Sequence, residues 1–261
     1  MIKLIDTHAH LNDDYLFERA EDIINNFEND NLQCVFVVGY DFISSLRAVE
    51  LAKKYEKVYA IIGLHPSDCD KWDSKFESFL LNNLNNKKVL ALGEIGLDYH
   101  YENFSKEKQK EVFVKQLEIA NSLNLPVVIH VRDAIGDLIE VLKQNKHLIN
   151  NGGVVHCFNE SVESYKILKT FGFKFSFGGA ITFKNSKNAN NLLTEVDFND
   201  ILLETDCPYL TPEPFRGKEK NQPKNVMLVA EKIANIKNVS IEEIAKISNE
   251  NVKQVFKKFK G

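Results

Sequence analysis

The chain has 261 residues, with 33 Lys or Arg against 37 Asp or Glu and a formal net charge of −4. That balance excludes a broad basic face for wrapping duplex DNA, but not a nucleic acid gripped locally by metal ions. Hydrophobic residues make up 44% of the chain, ample for a large core, and no apolar run reaches the roughly 20 residues that cross a bilayer.

The opening residues, Met1-Ile-Lys-Leu-Ile-Asp6, carry no signal-peptide core, so the expected location is cytoplasmic, with no membrane contact. A first apolar run covers residues 2–8 and leads into His8-Ala9-His10. Strand side chains alternate between faces, so the two imidazoles share one face. Side-by-side histidines fill a core poorly and hold a divalent cation well.

Further apolar runs follow at 34–38, 58–64, 89–94, 126–130, 153–158, 174–179 and 201–206. Most are nearly continuous in Val, Ile, Leu and Phe, as in parallel strands buried on both faces. Helical patterns lie between them. Residues 134–144 show the pattern most cleanly, with Ile135, Leu138, Ile139 and Leu142 on one stripe. A Pro/Lys-rich stretch over 208–224 precedes helical segments at about 225–236 and 241–259. The last opens on Ser240-Ile-Glu-Glu243, a capping box. Its Lys-rich end reads as a solvated helix face over Val252, Val255, Phe256 and Phe259.

Eight alternations predict an α/β fold, a closed (β/α)8 TIM barrel with extra C-terminal helices, residues 1–261 forming one domain. An open doubly wound sheet is the alternative, but no Gly-X-Gly-X-X-Gly loop follows any run. Cys34, Cys69, Cys157 and Cys207 form no CxxC pair and read as reduced thiols packed as small hydrophobes. A monomer is the expected state.

Polar residues stand at the C-terminal ends of four more runs. By alternation Glu94 shares a face with Leu90 and Leu92, His130 with Val128, His156 with Val154, and Asp206 with Glu204 and Leu202. In a (β/α)8 barrel those ends converge on one mouth, where the chemistry is placed. His8, His10, Glu94, His130, His156 and Asp206 supply four imidazoles and two carboxylates. That exceeds one catalytic zinc, which takes about three protein ligands, and suits two cations roughly 3.5–4 Å apart with Glu94 bridging. Zn, Mn and Ni fit the histidines by affinity, and Mg by abundance.

At these residues the chain resembles the TatD family of metal-dependent deoxyribonucleases, within the amidohydrolase-like metal barrels. The matching segments are Asp6-Thr-His-Ala-His-Leu11, Gly63-Leu-His-Pro66, Gly93-Glu-Ile-Gly-Leu-Asp-Tyr99, Val128-Ile-His-Val-Arg-Asp-Ala134, His156-Cys-Phe158, Gly178-Gly-Ala-Ile-Thr-Phe-Lys184 and Leu203-Glu-Thr-Asp-Cys-Pro-Tyr-Leu210. The resemblance implies a TIM barrel, divalent cations and hydrolysis of DNA phosphodiesters, often from a 3′ end. Carried over by position, it implies that His8, His10 and Asp206 hold one cation. Glu94 bridges, and His130 and His156 hold the other. His65 and Glu204 lie close behind, steering water or substrate. Read as a DNA hydrolase, the chain has Asp206, bound to a metal and facing the attacking water, to accept its proton.

Arg132, Lys184 and Arg216 are candidate phosphate-binding residues, and Tyr99, Phe158, Tyr209 and Phe215 candidate stacking platforms. Two segments depart from the family pattern. Asn159-Glu160-Ser161 replaces a Ser/Thr-Gly-Ser stretch, and residues 216–223 are one residue longer. Two other functions stay open. One is a hydrolase of a small-molecule ester, amide or phosphate, and the other a non-catalytic nucleic-acid binder that keeps metal for stability.

Overall fold

The computed structural model describes residues 3–101 and 105–261. Met1 and Ile2, at the start of the predicted first strand, lie outside the described residues. Among those described, eight strands form one sheet in sequential order: β1 (Leu4–Ala9), β2 (Leu32–Val38), β3 (Val58–Ile62), β4 (Val89–Asp98), β5 (Val127–Arg132), β6 (Gly153–Val155), β7 (Phe173–Phe177) and β8 (Ile201–Leu203). Every neighbouring pair is parallel. The helices between them are α1 (Asp14–Phe17), α2 (Ala20–Asn25), α3 (Phe42–Lys54), α4 (Ser74–Leu84), α5 (Lys106–Ser122), α6 (Ile135–Gln144), α7 (Val162–Lys169) and α8 (Lys187–Glu195). Two more, α9 (Val226–Lys237) and α10 (Ile241–Val255), close the chain. This is the predicted (β/α)8 TIM barrel with C-terminal helices. None of the described helices is long and apolar enough to cross a membrane.

The apolar runs are continuous because each strand is buried twice. In β2, Val35 and Val37 join the layer between strands and helices, while Cys34, Phe36 and Val38 fill the barrel interior. Leu90, Val128, Val154 and Leu202 complete that interior. Parallel strands sandwiched this way have no solvent face for polar residues except at their ends.

The seam between β1 and β8 is closed by few but fully buried bonds. Ala9 bridges Cys207, the His10 N–H donates to the Cys207 carbonyl at 2.7 Å, and the Asp206 N–H donates to His8 O at 2.8 Å. Below them the buried Asp6 carboxylate accepts from the Thr205 N–H at 3.0 Å, the Thr205 hydroxyl at 2.6 Å and the His8 N–H at 3.2 Å. Asp6→Ala leaves three buried donors without an acceptor. It is expected to destabilise the fold by on the order of 3 kcal/mol. An unchanged urea midpoint would show that the seam holds without it.

Several boundaries differ from the sequence reading. β4 runs four residues past Glu94 because Gly96, at φ 143°, lies flat on β5, where a Cβ would sit 2.0 Å from the His130 carbonyl. β6 and β8 are only three residues each. The final helix stops at Val255 rather than 259, because Phe256 and Phe259 turn in to plug the barrel against Phe36, at ring distances of 5.1 and 5.4 Å. The four apolar residues of that segment are buried as expected, but its last two are not helical.

Candidate metal centre

Five strand ends deliver the six candidate ligands to the barrel mouth. β1 and the residue after it bring His8 and His10. β4 brings Glu94, β5 brings His130, and the chain just past β6 and β8 brings His156 and Asp206. The expected face for Glu94 needs correction. Leu90 lies inside the barrel, but Leu92 packs in the outer layer, because β4 slips register against β3 after Val89 and against β5 after Leu92.

The two oxygens of Glu94 face two different groups. Oε1 lies 2.6 Å from His156 Nε2 and 2.8 Å from His130 Nδ1, while Oε2 lies 3.4 Å from His8 Nε2. On the His8 side, Asp206 Oδ1 is 3.9 Å from His8 Nε2 and 3.1 Å from His10 Nε2. His10 Nδ1 donates to the Val38 carbonyl at 2.9 Å, which turns the Nε2 lone pair towards Asp206. Between that nitrogen and the carboxylate stands either a proton or a metal cation.

Both ring nitrogens of His8 are buried without a hydrogen-bond partner among the described residues. An orphaned buried imidazole is costly unless it has a role the protein atoms alone do not fill. The donor set of imidazoles and carboxylates fits a divalent cation of borderline softness. His8, Glu94 and His156 form one close group, and His8, His10 and Asp206 another. His8, His10 and Asp206 would hold one cation, His130 and His156 a second, with Glu94 between.

The electrostatics agree with that donor set. Burial pushes the Glu94 carboxyl up, but His156, His8 and His130 together hold it well below the usual carboxylate range. Burial also pushes Asp206 up, and His10 overcomes it, leaving that carboxyl low as well. Both are ionised at neutral pH, and they call for positive charge.

His65 follows β3 and approaches the same mouth, its Nε2 3.9 Å from Glu94 Oε1. Burial, reinforced by His130, pushes its ring down to about 3, so it is neutral. Its Nδ1 accepts from the Ser67 N–H at 3.1 Å, which places the proton on Nε2. Glu204 lies behind His156 rather than on the cavity. It is fully buried, bonded to the Ser176 hydroxyl, with Oε1 3.5 Å from His156 Nδ1.

A cavity of about 660 Å³ opens over the site, lined by His130, Arg132, His156, Glu160, Asp206 and Tyr209 among others. Arg132 is exposed on its wall. Lys184 and Arg216 are exposed on the neighbouring rim, where the Arg216 guanidinium lies 3.7 Å over the Phe183 ring. Of the stacking candidates, Tyr209 and Phe215 are exposed. Phe158 is buried against Phe175, and the Tyr99 hydroxyl is tied to Asp137 at 2.8 Å. Glu160 is half-buried on the cavity wall, its carboxyl pushed up by burial and by Asp133. Arg216 to Pro223 is anchored by Asn221, whose amide reaches the Thr205 and Tyr209 carbonyls at 2.8 and 2.7 Å. All four cysteines are free, and three are buried.

The profile of a family described as "TatD related DNase" matches residues 5–257. The chain belongs to that family. A relative in Bacillus subtilis (strain 168), named as the uncharacterized metal-dependent hydrolase YabD, is 41% identical over 97% of this chain and 99% of its own length. The metal-dependent hydrolase YcfH of Escherichia coli (strain K12), also named as uncharacterized, is 35% identical over 97% and 95%. Among solved structures, the TatD homologue YjjV of Escherichia coli superposes with a TM-score of 0.90 at 27% identity, covering 97% of this chain and 98% of that one. This TatD-family protein is a metal-dependent hydrolase, and its clustered His, Glu and Asp side chains suit divalent metal.

Sequence reasoning passed over Asp98, the last residue of β4. Its Oδ2 lies 3.1 Å from His130 Nε2. Continuing the strand pattern beyond Gly96 would have pointed to it.

Proposed function

We propose that this chain hydrolyses phosphodiester bonds of DNA, working from the 3′ ends of single strands, with two divalent cations at the barrel mouth. The observation that carries the reading is the divided aim of Glu94, one oxygen towards His130 and His156 and the other towards His8. Bound there, two cations supply Lewis acidity to a phosphoryl oxygen and lower the pKa of a nearby water.

The chain's own residues do the rest. Asp206 is more exposed than Glu94 or Glu204, 14% against 5% and 0%. Ionised and facing the cavity, it takes the proton of the attacking water. The Nε2–H of His65 donates to an oxygen of the substrate or of that water. Arg132 pairs with phosphate oxygens from the wall, with Lys184 and Arg216 meeting the strand further out. Tyr209 and Phe215 offer faces for unpaired bases.

Glu160 and Asp133 favour a second reading. Two carboxylates on the cavity wall repel a phosphate backbone and suit a compact neutral or cationic ester or amide. Assays on end-labelled single-stranded DNA, with small esters, amides and phosphates in parallel, separate the two. Chelation is expected to abolish DNA cleavage, and Mg, Mn, Zn or Ni to restore it, with a 5′-labelled strand shortening stepwise. Full DNA cleavage by verified metal-free protein sinks the two-metal reading. Metal-dependent turnover of small substrates alone establishes the second. Metal binding without turnover of any substrate leaves a non-catalytic binder.

A further inference from the structure

Asp98, at the C-terminal end of β4, is buried beside the site, and both of its carboxylate oxygens have partners. Oδ1 accepts from the His100 N–H at 2.9 Å, and Oδ2 lies 3.1 Å from His130 Nε2. Its backbone is clamped as well. Gln109 of α5, itself buried, accepts from the Asp98 N–H at 2.8 Å and donates to the Asp98 carbonyl at 2.7 Å.

We propose that Asp98 is the positioning residue that makes His130 a metal donor through Nδ1. The inference rests on the metal reading of the site above. A neutral imidazole carries one N–H and one lone pair, and an ionised carboxylate only accepts. Asp98 therefore fixes the proton on Nε2 and leaves the lone pair on Nδ1. That atom sits 2.8 Å from Glu94 Oε1 and 3.2 Å from His156 Nε2, where the second cation belongs. The pairing of β4 with β5, Gly96 opposite His130 and Asp98 opposite Arg132, holds the two side chains in reach. A ligand imidazole whose other nitrogen is held by a carboxylate is a stronger donor in a fixed orientation.

His65, Asp98 and His130 also form a close group of three ligand-type side chains. They do not make a cation site of their own. His65 gives its Nδ1 lone pair to the Ser67 N–H, so its Nε2 presents a proton to the group. His130 Nε2 presents another to Asp98. Two of the three members are then donors.

The test uses the full chain loaded with zinc. Titration calorimetry and elemental analysis count the bound ions in the unaltered protein and in Asp98→Asn. Nitrogen NMR on labelled histidine reports which ring nitrogen of His130 keeps its proton. Two zinc ions per chain and a protonated Nε2 are expected in the unaltered protein. In Asp98→Asn the affinity for one of the two zinc ions is expected to fall about 10- to 100-fold, while the other, at His8, His10 and Asp206, is retained. A purely structural role would weaken both sites alike, and that result overturns the proposal. Unchanged affinity overturns it too, as does zinc bound through Nε2 of His130, or a third zinc lost on substitution, which would make Asp98 a ligand. If Asp98→Asn does not fold, the NMR of the unaltered protein decides alone. Failure of that protein to take up zinc overturns the metal reading itself, and is told apart by the zinc count.

Discussion

Asp206→Asn is expected to lower turnover of single-stranded DNA at least ~10²-fold, with KM changed far less. An asparagine still offers a carbonyl oxygen where Asp206 Oδ1 lies 3.1 Å from His10 Nε2. What it lacks is the capacity to accept a proton. General-base catalysis contributes roughly 10²–10⁴-fold, and that is the portion at stake. Weakened metal binding would mimic the effect, so metal content and turnover are measured on the same preparation. Near-normal turnover in a fully metallated variant would remove Asp206 as the base.

The neighbours are poorly placed to replace it. Glu204 is fully buried, with one oxygen on the Ser176 hydroxyl and the other towards His156. His65 has one nitrogen occupied by the Ser67 N–H and the other protonated. Neither presents a free lone pair to the cavity. The sequence places Asp206, Glu204 and His65 near one another, but only the fold separates a carboxylate that faces the cavity from one that supports a histidine.

The barrel was legible because its strands are buried on both faces, so stretches such as 35–38 of β2 and 127–129 of β5 read as unbroken Val, Ile and Phe. The six ligand candidates were legible for the same reason. A polar residue ending such a run has no core role, and strand ends of this fold meet at one mouth. What stayed hidden depends on contacts between distant segments. Asp98 follows Gly93 and Gly96, which break the apolar pattern although the strand continues through them against β5. The Ser67 bond that sets the tautomer of His65 belongs to a short 3₁₀ turn, Pro66–Lys71, with no hydrophobic period to announce it. Lys184 and Arg216 were placed by sequence near strand ends, yet the chain path sets them on the outer rim, with Arg216 laid over Phe183. Phe256 and Phe259 follow the helical spacing of α10, but burial against Phe36 draws them out of the helix.

Glu94→Gln is expected to cost metal and activity together, and to do so with little effect on the barrel. The wild-type carboxylate offers lone pairs from both oxygens, Oε1 among His130 and His156 at 2.8 and 2.6 Å, Oε2 towards His8 at 3.4 Å. An amide has only one such oxygen. Whichever way it turns, its NH₂ faces one of the two cation positions, and a negative charge between two dications is lost. Affinity for at least one cation is therefore expected to fall by at least ~10²-fold, more than when only a supporting partner of a ligand is removed. In the two-metal reading catalysis needs both cations at once, so activity at limiting metal should fall by at least as much. The barrel seam lies elsewhere, in Asp6, Thr205 and Cys207, so the metal-free variant should still fold, with a thermal midpoint lowered only by the lost pairing of Glu94 with His130 and His156. Elemental analysis, turnover across a metal titration and a thermal melt check the three parts separately. A Glu94→Gln protein that holds two cations and cleaves DNA at the normal rate would falsify the bridge, and the divided aim of its two oxygens would then need another cause.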